Sequence, residues 1–537
     1  MNSLISPGNP EGSAGLHVKR AKFAVRLLQV LFVVVALHHI DGPFLSAHNE
    51  RQNQTFDISR HVFRDGWSAV AIPKASFSSA GGETQRYTAM LLEVPFHGLL
   101  GWPAAKLFGH ERAVVRLVSV MFAVVSIELL FLILRFWVAP TAAAIGAALW
   151  ALAPLVLQFG QVPMPDIICT TGILASFLFA LRGNLPASSG FFLFALLAKS
   201  NIIVFGLPIL IALLVSRNCR TVRDFFRLSL LWGLPPLCAL VAWMAMLESF
   251  GPPTPMSAWK VLTERGDWKV LLNLNLYLRS ASSLLLFGFG VIGALGCLFA
   301  LRGRRAGVHP YVQWAIVISS IGYFVFIVRK VPEPQYSLPL LAWCIIPACV
   351  GLQVALAGLR GRILRPAVIA AAVGMHLLVA LIFTCDLKAS RVPDFKDIET
   401  AARLLPADAR VLMGYRYYGA GPAVWLDRNV LQFTNLEELQ LALVRVRDLG
   451  FNYLMLLDIE SRHSVGLAAP NGEFGFIESL TARIQKFLRT SGDHGKALAN
   501  YTDPALPLRK FCDEKFSVIY SGPHLVLYAL PVQPVSR

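Results

Sequence analysis

The chain has 537 residues, 55% of them hydrophobic and only 15% charged, with a mean hydropathy of +0.57. Soluble domains carry about 25% charged residues, so this composition excludes a soluble globular protein and implies repeated membrane spans. The net charge of +17 would suit a nucleic-acid binder, but the basic residues gather at alternate ends of apolar runs, which is an orientation signal and excludes nucleic acid as the partner.

Residues 1–18 are rich in Gly, Ser and Pro and are expected to be a disordered cytoplasmic N-terminus. Lys19, Arg20, Lys22 and Arg26 precede an apolar run to Ile40. A signal peptide cleaved near Ala47 would look similar, but the many spans that follow favour an uncleaved first helix. Its basic flank puts the N-terminus inside and residues 41–112 outside. A loop of that length between spans is more often functional than idle.

Further spans are expected near 113–135, 139–158, 166–182, 188–199, 201–216, 228–249, 281–301, 309–328, 338–358 and 366–385, about eleven with the first helix. Arg135, Arg182, the cluster Arg217, Arg220, Arg223 and Arg227, and the triplets Arg302, Arg304, Arg305 and Arg360, Arg362, Arg365 then all fall on one side. An odd count leaves residues 386–537 outside. That tail alternates strand and helix: strands near 409–415, 423–433 and 452–458, helices near 436–447 and 476–489, and a closing strand pair FSVIYS and HLVLYAL. The fold class expected is therefore an all-α polytopic membrane domain over 19–385 with an extracytoplasmic C-terminal α/β domain over 386–537. The tail holds no GxGxxG and no P-loop, so binding or stabilisation suits it better than catalysis. The eight cysteines show no CxxC or Cys/His metal spacing; only Cys385 and Cys512 fall on one soluble face, where a disulfide could join them.

Taken singly, the polar candidates have bland explanations. Asp57 lies three residues before Arg60, a spacing for a helix-surface pair. Asp166 follows Pro163-Met164-Pro165 at a span start, where the helix dipole favours an acid. Lys199, Arg329 and Lys330 could snorkel to headgroups. Taken together, carboxylates in the first outer loop face cations at three other outer loops, Lys199, Arg279 and Arg329-Lys330, against the positive-inside tendency. A lipid phosphate in the outer leaflet would explain those cations. A carboxylate base beside a phosphate-binding cluster is the minimum for moving a sugar from a polyprenyl phosphate to a hydroxyl or amine.

The segments EVPFHGLLGWPAAKLFG, ERAVVRLVSVMFAVVSI, FGQVPMPDIICTTGILASFLFALRG, FFLFALLAKSNIIVFGLPILI and VRKVPEPQYSLPLLAWCIIP occur in an order that resembles GT-C membrane glycosyltransferases. The resemblance is to family 39-like members, the protein O-mannosyltransferases and the lipid A aminoarabinose transferase, and covers roughly 20–360. Glu93-Val94-Pro95-Phe96, Arg116-Leu117-Val118-Ser119, Pro165-Asp166, Leu197-Ala198-Lys199 and Gln335-Tyr336 match its motifs in turn. The family's catalytic Asp precedes the Arg matching Arg60 by nine or ten residues, where this chain has Glu50-Arg51-Gln52. The resemblance therefore implies Glu50 as the base, with Asp57 and Asp41 behind it. It also implies that Arg51 serves the base or the phosphate, and that Glu93 holds the acceptor or orders the loop. Lys199, Arg329 and Lys330 would hold the donor phosphate, with Asp166 nearby and Tyr336 lining the groove. No metal or other cofactor is implied. The partners expected are a polyprenyl-phosphate-linked sugar, an outer-face acceptor and the bilayer of a bacterial inner membrane. Two other readings compete: a lipid-linked sugar transporter or flippase, and an inactive member serving as an assembly partner.

Overall fold

The computed structural model describes residues 13–37, 40, 49–71, 77–79, 93–250, 309–329, 336–358, 394–414, 428–433, 436–457, 505–521 and 525–530, with single positions between 277 and 297 and at 374 and 426. The expected spans 281–301 and 366–385, the helix near 476–489, Lys330 and Cys385 lie largely or wholly outside these residues.

The chain opens with α1 (Ser13–Leu37), followed by α2 (Asn49–Asp65), α3 (Trp67–Ala71) and strand β1 (Phe77–Ser79) from the long loop. Then come α4 (Phe96–Phe108), α5 (Glu111–Leu134), α6 (Pro140–Ala151), α7 (Pro154–Phe159), α8 (Pro165–Leu181), α9 (Leu185–Ala198), a 3-10 turn (Ser200–Phe205), α10 (Gly206–Ser216) and α11 (Val222–Phe250), with later helices Pro310–Arg329 and Ser337–Gly358. Among the described residues, Glu111–Leu134, Val222–Met246 and Ser337–Val354 are long and apolar enough to cross a membrane, and several shorter apolar helices accompany them. The expected span 139–158 is two helices, because Pro154 has no N–H to continue the ladder and starts α7 afresh. The expected span 201–216 begins as a 3-10 turn and becomes α-helical only at Gly206.

α8 is the centre of the bundle. It packs against α5, α9, α10 and Ser337–Gly358, and nearly every side chain from Pro165 to Leu178 is buried. Phe177, Trp343, Phe205 and Tyr323 form an aromatic stack there, with centroids 4.7, 5.3 and 4.8 Å apart in turn. Hydroxyls and indoles tie neighbouring helices where lipid offers no partner: Trp150 Nε1–H donates to Ser126 Oγ at 2.8 Å, and Trp232 Nε1–H to Ser188 Oγ at 3.0 Å.

The C-terminal residues form a sheet with β2 (Arg410–Gly414), β3 (Asn429–Phe433), β4 (Tyr453–Leu457), β5 (Ser517–Ser521) and β6 (Leu525–Ala529). The strand order is β1-β3-β2-β4-β6-β5, parallel from β1 to β4 and antiparallel at β6 and β5. β1 comes from the long loop and pairs with β3, Phe77 opposite Val430, so the loop is stitched into the sheet. Alternation along the strands assigns the faces. Val411, Met413, Val430, Met455, Leu525 and Leu527 share a core with helix Asp394–Leu404 and with Phe56 and Phe63 of α2. Leu412, Leu431, Leu454, Val526 and Tyr528 face helices Leu436–Leu449 and Ala505–Lys515. Among the described residues Cys512 is a buried free thiol in that second core, and Cys385, the partner expected for it, lies outside them.

Arg428 caps the helix that enters the sheet domain. Its Nη2 donates to the carbonyls of Ala402 and Leu405 at 3.1 and 2.8 Å, and its Nε to that of Pro406. The first two are carbonyls a helix end leaves unsatisfied, and a cation there also opposes the dipole. Arg428→Met is expected to lower the stability of the full chain by about 1–3 kcal/mol, read by thermal melting in detergent. Melting at the wild-type temperature would show the cap to be replaceable by water.

Candidate functional site

α2 is polar in sequence, yet one side of it is buried. Gln52, Asn53, Asp57, Ser59 and Arg60 are at most 3% exposed; Phe56 and Phe63 of the same helix share a core with the sheet domain, and α4 packs closely against α2. That close approach needs glycine in α4. A Cβ on Gly98 would sit 2.9 Å from Val62 Cβ, and one on Gly101 2.9 Å from Val114 Cγ1. The pair expected on a helix surface is formed, Arg60 Nη2 to Asp57 Oδ1 at 2.7 Å, but it is interior: Asp57 is 0% exposed. Docking of the sheet domain, which periodicity within the helix cannot report, accounts for the correction.

A pocket opens between α2, the 93–97 segment and the ends of α8 and α9. Arg51 lines it and is ion-paired with Glu93, both side chains being mostly buried. Burial disfavours the guanidinium charge. Glu93, with Tyr336 and Asp166 in electrostatic reach, outweighs that and holds the Arg51 pKa above its ordinary value. Thr55 and Ser59, one turn apart on the same wall, donate their hydroxyls to the carbonyls of Arg51 and Thr55 at 3.0 and 2.7 Å. Their oxygens are thereby left with lone pairs only, a surface that accepts hydrogen bonds.

Pro165 and Ala198 form the opposite wall, and directly behind them stands the second ion pair. Lys199 Nζ meets Asp166 Oδ1 at 2.5 Å and lies 4.1 Å from the centre of the Tyr336 ring. Asp166 is 0% exposed and its Oδ2 has no hydrogen-bond partner among the described residues. α9 has 14 residues, a length of about 21 Å, so the chain breaks at Lys199 short of a full membrane crossing. Such a break is tolerated where protein buries it, and Lys199 is itself 7% exposed. The carbonyl of Leu197 is taken by Val94 N–H at 2.9 Å, which joins the break to the Glu93 segment.

Five expected site residues, Arg51, Glu93, Asp166, Lys199 and Tyr336, thus come together from five parts of the chain. Glu50 occupies the first turn of α2, next to Arg51, and Arg329 ends helix Pro310–Arg329; their side chains lie outside the described residues. Sequence reasoning missed His97. It is 2% exposed, lines the pocket, and burial pushes its pKa down to about 3, so the ring is neutral. Its Nε2 lies 2.9 Å from Ser119 Oγ. Among the described residues, no three His, Cys, Asp or Glu side chains are grouped as a metal site requires.

Residues 93–243 match the family model of dolichyl-phosphate-mannose-protein mannosyltransferases. No curated protein matches the sequence. Among solved structures, ArnT from Cupriavidus metallidurans bound to undecaprenyl phosphate is similar over 94% of this chain and 97% of its own, at 16% identity and TM-score 0.59. The Archaeoglobus fulgidus oligosaccharyltransferase is similar over 81% of this chain and 68% of its own, at 14% identity and TM-score 0.51. The mycobacterial arabinofuranosyltransferase AftD is similar over 81% of this chain and 35% of its own, at 16% identity and TM-score 0.50. The segment matched by the mannosyltransferase family holds α4 through most of α11, including Glu93, Asp166 and Lys199. The chain is thus an integral membrane protein with the fold of the GT-C glycosyltransferases.

Proposed function

We propose that the protein transfers a hexosyl or pentosyl group from a polyprenyl-phosphate donor to a glycan, lipid or protein acceptor, at the membrane face that carries the 41–112 loop. The observation that carries this reading is the convergence of two buried ion pairs, Arg51–Glu93 and Lys199–Asp166, on one pocket between a loop helix and two short membrane helices. A transporter has no need of a carboxylate-bearing loop helix clamped over such a pocket. The membrane proposed is a bacterial inner membrane, with the sheet domain in the periplasm.

In the step proposed, the Glu50 carboxylate takes the proton of the acceptor O–H or N–H while that atom attacks the anomeric carbon. The bond from the anomeric carbon to the phosphate oxygen breaks, and polyprenyl phosphate leaves with the electron pair. Arg51, held by Glu93, orients the acceptor beside Glu50. Thr55 and Ser59 accept hydrogen bonds from sugar hydroxyls. Arg329 and Lys330 meet the phosphate at the membrane surface. To Lys199, paired with Asp166 and set against the Tyr336 ring, we assign the part of fixing the pocket floor.

Mass spectrometry of envelope glycans, lipids and proteins from cells with and without the gene tests this. Loss of one sugar-bearing species, with build-up of a polyprenyl-phosphate sugar, is the expected result. Unchanged products with a lipid-linked sugar redistributed between leaflets would replace it with the transporter reading.

A further inference from the structure

Ser119 sits in the motif that opens α5, and its hydrogen bonds run in one direction. Its hydroxyl donates to the Val162 carbonyl at 2.7 Å, so toward His97 the oxygen has only lone pairs to offer. The 2.9 Å contact with His97 therefore requires the hydrogen on Nε2 of a neutral ring. The same Val162 carbonyl accepts from Met164 N–H at 2.8 Å and so closes the turn that delivers Pro165 and Asp166. His97 lines the pocket at the start of α4, whose Gly98 touches Val62 of α2.

We propose that His97 is a positioning residue, coupling the loop wall of the pocket through Ser119 and the Val162 carbonyl to the turn that bears Asp166. The tether fixes how far the Arg51–Glu93 pair stands from the Lys199–Asp166 pair, and with it the width of the pocket. Its effect on ligand binding rests on the reading of this pocket as the polyprenyl-phosphate site. The tether itself does not.

Two measurements on the full-length protein in nanodiscs separate the two claims. In the first, 15N-histidine NMR with His97→Gln for assignment should show His97 as the Nε2–H tautomer, unchanged between pH 8 and pH 5. An Nδ1–H tautomer, which leaves Nε2 with no hydrogen to donate to Ser119, overturns the tether. In the second, undecaprenyl phosphate is the binding probe. His97→Phe and Ser119→Ala should each weaken binding about five- to tenfold, and the double variant should be no weaker than the single ones, since both cut one chain. His97→Gln, which restores a donor near the Nε2 position, should return binding to within about twofold of wild type. Additive losses, or a His97→Gln variant as weak as His97→Phe at equal melting temperature, overturn the positioning role. If the wild type itself ignores undecaprenyl phosphate, the donor reading falls, and the NMR signature alone decides the tether.

Discussion

Lys199→Met is expected to destabilise the protein by about 3–5 kcal/mol, because it leaves the Asp166 carboxylate buried without its counter-charge. The geometry makes the expectation sharp. Asp166 is 0% exposed, one of its oxygens already lacks a hydrogen-bond partner among the described residues, and Lys199 Nζ at 2.5 Å satisfies the other. The double variant Asp166→Leu/Lys199→Met should recover most of the loss, since replacing both members of a buried pair with apolar groups removes the desolvation penalty along with the attraction. Turnover of the recovered double variant should still be down by about tenfold or more, because the pocket loses the charges that face Arg51 and Tyr336. Thermal melting of the purified variants and the yield of the sugar-bearing product are the two readouts. A Lys199→Met protein that melts like the wild type, or a double variant less stable than the single, would show that the pair is not a buried bolt.

Apolar runs in the sequence located α1, α5, α8, α9, α11 and the two later long helices, because burial in lipid or in a helical core leaves a local record. The tail strands 410–414, 429–433, 453–457, 517–521 and 525–529 were legible for the same reason. What could not be read is whatever depends on contact between distant segments. Phe77–Ser79 is three residues long in a Ser- and Gly-rich stretch, and only its partner β3 makes it a strand. The acid and base of the Asp166–Lys199 pair are 33 residues apart, each with an adequate solitary explanation. His97 gives no periodic or motif signal, and its role depends on a serine 22 residues on and a carbonyl 43 beyond that. The family-like order of motifs did gather Glu93, Ser119, Asp166, Lys199 and Tyr336 in one list. It did not say which of them touch.

The largest kinetic effect is expected at Glu50. Inverting transfer needs one carboxylate placed to take the acceptor's proton as the sugar–phosphate bond breaks. Glu50 lies in the first turn of α2 and adjoins the pocket-lining Arg51. Glu50→Gln keeps the shape and removes the base, so turnover should fall about 10²–10⁴-fold at unchanged melting temperature. Asp57→Asn should behave in the opposite way. It removes the counter-charge that Arg60, 3% exposed, meets at 2.7 Å, and so costs about 3 kcal/mol of stability, while the protein that remains folded turns over near the wild-type rate. Glu93→Gln is the decisive third variant, since Glu93 is a carboxylate lining the pocket among the described residues. As the partner of Arg51 it should weaken acceptor use through KM, with a smaller effect on kcat. Collapse of kcat in Glu93→Gln beside a normal Glu50→Gln would move the base to Glu93. Normal turnover in both would deprive the pocket of its base and leave the transferase reading without a mechanism.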